Sequence, residues 1–229
     1  MRRLAKLPMP RVLADNATSW LSEYLADRDS ATKKYRYRHI EIKDALRRET
    51  HWKCAYCESK VGHNTPGDIE HKVPSSKNEA LHFDWANLTV ACTECNRRKN
   101  DYYQEGAEFL DPYQDDVEAC LVHLGPLVYW APGHARAEIT VRKLELDTSA
   151  RCALFDRKRD LLEKIRALLD GVASADPEIL RALRRDEVVR MCGEDAEFSA
   201  MVRSYVELVS PSERPPEIRL IACPSDREA

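Results

Sequence analysis

Two cysteine pairs of identical spacing constrain this 229-residue chain more than any other feature: "CAYC" at Cys54 and Cys57, and "CTEC" at Cys92 and Cys95, with 34 residues between them. Each CxxC loop presents two thiolates to one point. Two such loops complete the tetrahedral sulfur shell of Zn²⁺, with metal–sulfur distances of about 2.3 Å. A set of small buried hydrophobes would not explain two equal spacings. Cys120, Cys152, Cys192 and Cys223 follow no such pattern and read as unpaired structural thiols. A disulfide framework does not fit either. The N-terminal "MRRLAKLPMPRVL" is basic, with no continuous apolar run and no small-residue cleavage site, so a cytoplasmic location with reduced thiols is expected. No apolar run approaches the ~18–20 residues of a membrane span, and no membrane partner is expected.

A four-cysteine site alone suggests a zinc ribbon, a binding module. The residues between and beside the knuckles ask for more. "GDIEHKVP" (67–74) puts Asp68, Glu70 and His71 on one short run closed by a proline. Asn87 in "DWANL" follows His71 by sixteen residues, and Asn96 stands directly after Cys95. A one-metal nuclease needs oxygen ligands that hold a hard divalent cation and leave room for water and phosphate, which Glu70 and Asn96 can supply. It needs a base of near-neutral pKa for the attacking water, which is His71. The imidazole must be held in orientation, and Asn87 could do so from a facing strand. Adjacent strand residues point to opposite faces, so Glu70 and His71 share a site only where the strand is twisted, bulged or bent over a helix.

"CAYC", "IEHKVP", "WANL" and "CTECNRRK", all within residues 54–99, resemble an HNH (ββα-metal) endonuclease with a zinc-stabilised core. The resemblance implies two strands and a helix around a catalytic divalent metal, with His71 as general base and Asn87 as its supporting asparagine. Glu70 stands where the family usually has an aspartate ligand, one methylene shorter. Asn96 stands at the third position, a metal ligand, with Asn100 its rival for that place. An amide oxygen is a hard ligand, which favours Mg²⁺ or Mn²⁺ in catalysis beside the structural Zn²⁺. Arg97, Arg98 and Lys99 would approach the scissile phosphate or its neighbours. The nucleic-acid substrate is expected to be DNA, with RNA the alternative. The wider layout is similar to HNH subunits of Septu and retron-associated anti-phage systems, which implies an ABC-type ATPase partner. A catalytically silent zinc module, or an HNH endonuclease outside defence, are the competing readings.

Around this core the fold class is α+β: a zinc-stabilised ββα-metal core with N-terminal helices, a β-hairpin and a helical C-terminal region. The segments read as 1–53, 54–108 and 109–229. Helical spacing predicts a helix over 16–29, capped at Thr18 or Ser19, and another over 38–53 with Ile42, Ala45, Leu46 and Glu49 along one side. Residues 121–132 and 137–146 alternate as a hairpin across "GHAR". Helices follow over 149–172, 176–192 and 194–209, and the Pro-rich tail reads as irregular. Asp68 reads as a strand-start turn former, with an acid supporting the metal ligands as the alternative, His63 and His82 as surface histidines, and His51 as either a support of the zinc shell or a neighbour of Trp52. The net charge of −3 is uneven: +6 over residues 1–60, zero over 61–100, −7 over 101–150 and −2 over 151–229. A polyanion must therefore be met locally, by the first sixty residues and the "NRRK" turn, or with a partner's help. The cluster "KKYRYRH" (33–39) suits phosphate contact and base stacking, or equally a charged connector.

Overall fold

The computed structural model describes residues 1–62 and 67–209. His63, Cys223 and the Pro-rich tail lie outside the described residues. The chain forms two compact units, Arg3–Asp115 and Met1–Arg2 together with Asp116 onward. Among the described residues no helix is long and apolar enough to cross a membrane.

The first unit opens with α1 (Arg11–Ala26), which begins more than two turns before the cap expected at Thr18 or Ser19. Pro10 stands at its N-cap, where a fixed φ and a missing N–H cost nothing. Leu13, Ala17, Trp20, Leu21 and Tyr24 then make one apolar stripe into the core. The short α2 (Ala31–Lys34) runs into a 3₁₀ turn, Tyr35–Arg38. α3 (Ile40–Glu49) is capped by His39, whose Nδ1 accepts from the Glu41 N–H at 3.3 Å. Its buried residues are the four read from the sequence, Ile42, Ala45, Leu46 and Glu49. Beyond it, His51 and Trp52 are both left-handed (φ 52° and 56°), a reversal that delivers the chain to the first cysteine loop.

β1 (Asp68–His71) and β2 (Leu88–Ala91) pair antiparallel, with Glu70 opposite Thr89 and His71 opposite Leu88. α4 (Thr93–Lys99) packs on both strands, and α3 on β2. Gly67 enters β1 at φ +69°, and a Cβ there would lie 3.1 Å from Val90 Cγ1, so the position suits glycine. Leu13, Ile42, Leu46, Phe83, Trp85, Leu88 and Val90 form the shared core.

The second unit holds α5 (Val117–Cys120), β3 (Leu121–Leu124), β4 (Leu127–Trp130), α6 (Ala135–Leu144), α7 (Cys152–Val172), α8 (Glu178–Met191) and α9 (Ser199–Val209). The hairpin exists, but between β3 and β4 across Gly125 and Pro126. Its expected second strand is helix α6. Ala137, Thr140, Val141 and Leu144 are buried at helical spacing, and Glu138 pairs with Arg142 one turn on at 2.8 Å. α7, α8 and α9 enclose a separate core of Ile165, Val188, Phe198, Met201 and Val202.

Candidate functional site

The two cysteine loops close on each other. The sulfur atoms of Cys54, Cys57, Cys92 and Cys95 all lie within 4.8 Å of one another, with Cys57 and Cys92 3.7 Å apart. A tetrahedral ion with bonds of about 2.3 Å needs sulfur–sulfur edges of about 3.8 Å. Among the described residues no histidine or carboxylate joins the cluster. Cys54 is buried, and burial pushes its thiol well above the ordinary range. Four sulfurs at this spacing ionise together only around a cation, so the donor set fits structural zinc. The loops also join the elements. Ala55 N–H donates to the Val90 carbonyl at 2.9 Å, fixing the first loop to β2. Cys92 caps α4 and its sulfur accepts from the Cys95 N–H at 3.4 Å.

Beside this cluster, β1, the end of α4 and the Tyr35–Arg38 turn line a cleft of about 480 Å³. Asp68, Glu70, His71, Asn96 and Asn100 all reach it. His71 is the last residue of β1, where the chain leaves the sheet, and that position brings it beside Glu70 despite the strand's alternation.

The imidazole of His71 has a defined tautomer. Its Nε2 lies 2.9 Å from the His82 carbonyl oxygen, which can only accept, so Nε2 carries the proton and Nδ1 keeps its lone pair. Burial foremost pushes His71 down to about 4, with the charges of His82 and Lys99 adding and the bond to the carbonyl opposing. The ring is therefore a neutral base at neutral pH.

Asn87 sits at the end of the 3₁₀ turn Trp85–Asn87, buried, and its side chain bonds the loop rather than the imidazole. Its Oδ1 accepts from Val73 N–H at 2.8 Å, and its Nδ2 donates to the carbonyls of Val73 and Leu81 at 3.0 and 3.1 Å. Leu81 adjoins His82, whose carbonyl holds His71. The asparagine thus supports the base through the loop between the strands.

Glu70 is buried, and its carboxyl is raised by burial although the Lys99 ammonium forms an ion pair with it. Lys99 also donates to the His71 carbonyl at 2.8 Å, and the same ammonium lies against Glu70 Oε1, which meets no other donor. Asn96 donates from Nδ2 to Asp68 Oδ2 at 3.2 Å, an orientation that commits the nitrogen and leaves the amide oxygen for another partner. Asn100 caps α4 at φ 48° and donates to Asp101 at 3.2 Å. Of the three cations after Asn96, Arg97 and Arg98 both meet Glu94 at 2.8 Å, while Lys99 is buried against β1.

Two residues take places other than the first reading of each, Asp68 the place of its alternative. Asp68 is drawn into the cleft as the partner of Asn96, and its signal was the period-two spacing that puts it on the face of Glu70. His82 is 2% exposed, not a surface histidine. Its ring stacks between Tyr24 at 4.4 Å and His71 at 4.9 Å, donates from Nε2 to the Lys34 carbonyl at 2.7 Å, and accepts at Nδ1 from Ser75 at 2.6 Å. Its apolar company in "LHFDW" was the available clue.

Part of this arrangement is similar to a known family. The family model for HNH endonucleases matches residues 54–102, which take in both cysteine loops, β1, β2 and α4. Over these residues the chain matches an HNH endonuclease domain, and its four-cysteine cluster fits zinc. No curated protein matches the chain.

Proposed function

We propose that this chain is a metal-dependent endonuclease that hydrolyses phosphodiester bonds, with His71 as the general base. The observation that carries the reading is the His71 imidazole, neutral and proton-bearing at Nε2, with Nδ1 available in a cleft shared with Glu70, Asn96 and Asp68. The oxygen donors suit Mg²⁺ or Mn²⁺: the Glu70 carboxylate, which an incoming ion would take over from the Lys99 ammonium, and the Asn96 amide oxygen that the bond to Asp68 leaves over. When bound, such an ion polarises the phosphate and offsets the charge that develops on it. His71 Nδ1 takes the proton of the attacking water. The His82 carbonyl keeps the ring in that tautomer, and Asn87 keeps the loop that supplies the carbonyl. Arg97 and Arg98, exchanging Glu94 for phosphate oxygens, would hold the strand beside the cut. Lys99 neutralises Glu70 when the ion is not there.

DNA is the favoured polymer and the cytoplasm the favoured compartment. The layout around the domain supports an anti-phage effector working beside an ABC-type ATPase. So does the net charge of −3, since a chain with a weak grip of its own gains affinity when a partner adds contacts. The competing reading, a silent zinc module, draws on the Lys99–Glu70 pair, which puts a fixed ammonium beside the ligand carboxylate.

One comparison separates them. Supercoiled plasmid and tRNA are incubated with the protein and with His71→Ala in Mg²⁺ or Mn²⁺, zinc content being measured in both. The expected result is cleavage by the parent, a loss of at least a hundredfold in the variant, in the range of general-base contributions, and equal zinc. Equal cleavage by both proteins would remove His71 from the mechanism.

A further inference from the structure

The turn that forms the outer wall of the cleft carries chemistry that the hydrolytic site does not use. Tyr37 meets His71 edge-on, with ring centroids 4.7 Å apart at 81°. Tyr35 meets Tyr37 in turn at 6.2 Å and 65°, and the Arg38 guanidinium lies 4.2 Å from the Tyr35 ring and 5.6 Å from that of Tyr37. Rings and a cation thus lead without a gap from the base to the surface. Tyr35 ends the row with 41% of its surface open.

The wall is also held in place. His82 Nε2–H bonds to the Lys34 carbonyl at 2.7 Å, one residue before the turn, and the same His82 offers its own carbonyl to His71. A single buried residue fixes both the catalytic imidazole and the tyrosine turn.

Charge sorts the neighbouring cations. Arg28 is matched by Glu79, Lys33 by Asp27 and Arg36 by Glu23, at 2.7, 3.0 and 2.8 Å. Arg38 and Lys43 both line the cleft, and neither has a carboxylate partner among the described residues. Cations left over in a cleft, beside a half-exposed aromatic ring that one of them already covers on one side, fit a polyanion whose bases are available to stack.

We propose that Tyr35, Arg38 and Lys43 form a docking wall for an unpaired nucleotide of the strand being cut. Tyr35 takes the base by stacking, and Arg38 and Lys43 take the adjoining phosphates. Within a duplex each base is covered by its neighbours, so the exposed part of Tyr35 has nothing to receive; a single strand or a frayed junction offers the base directly. This rests on the nuclease reading for the direction of the strand toward His71, and on the wall itself for the binding.

The test is fluorescence anisotropy with a labelled single-stranded DNA 20-mer, its duplex and the RNA of the same sequence, with Ca²⁺ in place of Mg²⁺. The proteins are the parent, Tyr35→Ala, Tyr35→Trp and Arg38→Ala, with zinc content and Tm measured for each. The parent is expected to bind the single strand about tenfold more tightly than the duplex. Tyr35→Ala should lose about tenfold on the single strand, the size of one base stacked on one aromatic ring, and stay within twofold on the duplex. Tyr35→Trp should restore binding. Should Tyr35→Ala lose zinc or fold, Arg38→Ala carries the comparison, with a similar loss on the single strand expected. The RNA arm distinguishes the two sugars. Equal parent affinity for single strand and duplex, or binding by Tyr35→Ala within twofold of the parent on the single strand, overturns the proposal. Plasmid cleavage that needs His71 but is indifferent to Tyr35 overturns this wall and leaves the nuclease standing. Tyr35-dependent strand binding without cleavage in any metal keeps the wall and removes the nuclease.

Discussion

Asn87 shows how one side chain can govern the setting of another without touching it. Buried and bonded three times to the backbone at Val73 and Leu81, it holds the start and the end of the loop whose next carbonyl orients His71. Truncation would leave one N–H and two carbonyls without their partner. At about 1–3 kcal/mol for a buried group so stranded, with partial relaxation of the loop, Asn87→Ala should lose about 2–4 kcal/mol of stability. Urea unfolding at fixed zinc measures it, with His71→Ala expected to lose less because its ring makes one hydrogen bond. Equal losses in the two variants would mean that the loop does not depend on Asn87. The motif placed Glu70, His71 and Asn96 together, and the three do line one cleft, while Asn87 bonds the loop beside it. The partners that position them are not local. His82 reaches back 48 residues to Lys34, and Asp68 reaches forward 28 to Asn96. No periodicity in "LHFDW" or "GDIEH" encodes those distances, so the two residues read as surface and turn.

At the scale of elements, neither β1, β2 nor α4 is long enough to stand alone. The strands have four residues each and the helix seven, well short of the ~12–15 at which an isolated helix becomes even marginal in water. The sulfur cluster substitutes for length. It ties the α4 N-terminus to the 54–57 loop, and that loop to β2 through Ala55 and Val90. One zinc per chain is expected, with Cys57→Ser and Cys95→Ser each losing it. Hydrogen exchange at residues 88–99 should then rise by at least a hundredfold, while α7 is unchanged because its core is separate. Retention of protection at 88–99 after zinc loss would show that packing alone holds these elements. The knuckles were legible because metal ligation imposes spacing. The hairpin was harder: 137–146 alternates passably as a strand, yet its Ala, Glu, Arg, Lys and Leu content and its i, i+3, i+4, i+7 buried set favour α6. The short Gly125–Pro126 turn gives β4 a nearer partner in β3.

For the whole molecule, charge is the property that no single site reveals. A net −3, with −7 concentrated over residues 101–150, gives no broad field to gather nucleic acid, so any grip must come from cations already at the cleft. Those are Arg38 and Lys43, joined by Arg97 and Arg98 if they exchange Glu94 for phosphate. Two to four neutralised phosphates on a single strand correspond to a slope of log K against log salt of about −1.5 to −3. Anisotropy titrations between 50 and 300 mM KCl, roughly the range over which such slopes are resolved, read it directly. Arg38→Ala should flatten the slope by about 0.7, the contribution of one phosphate. A slope steeper than about −5 would require a second basic surface and would sink the idea that the cleft alone supplies the grip. A shallow slope has a further consequence. At physiological salt the isolated chain holds its strand weakly, and a partner that adds a few phosphate contacts multiplies the affinity without altering His71 or the loop that orients it.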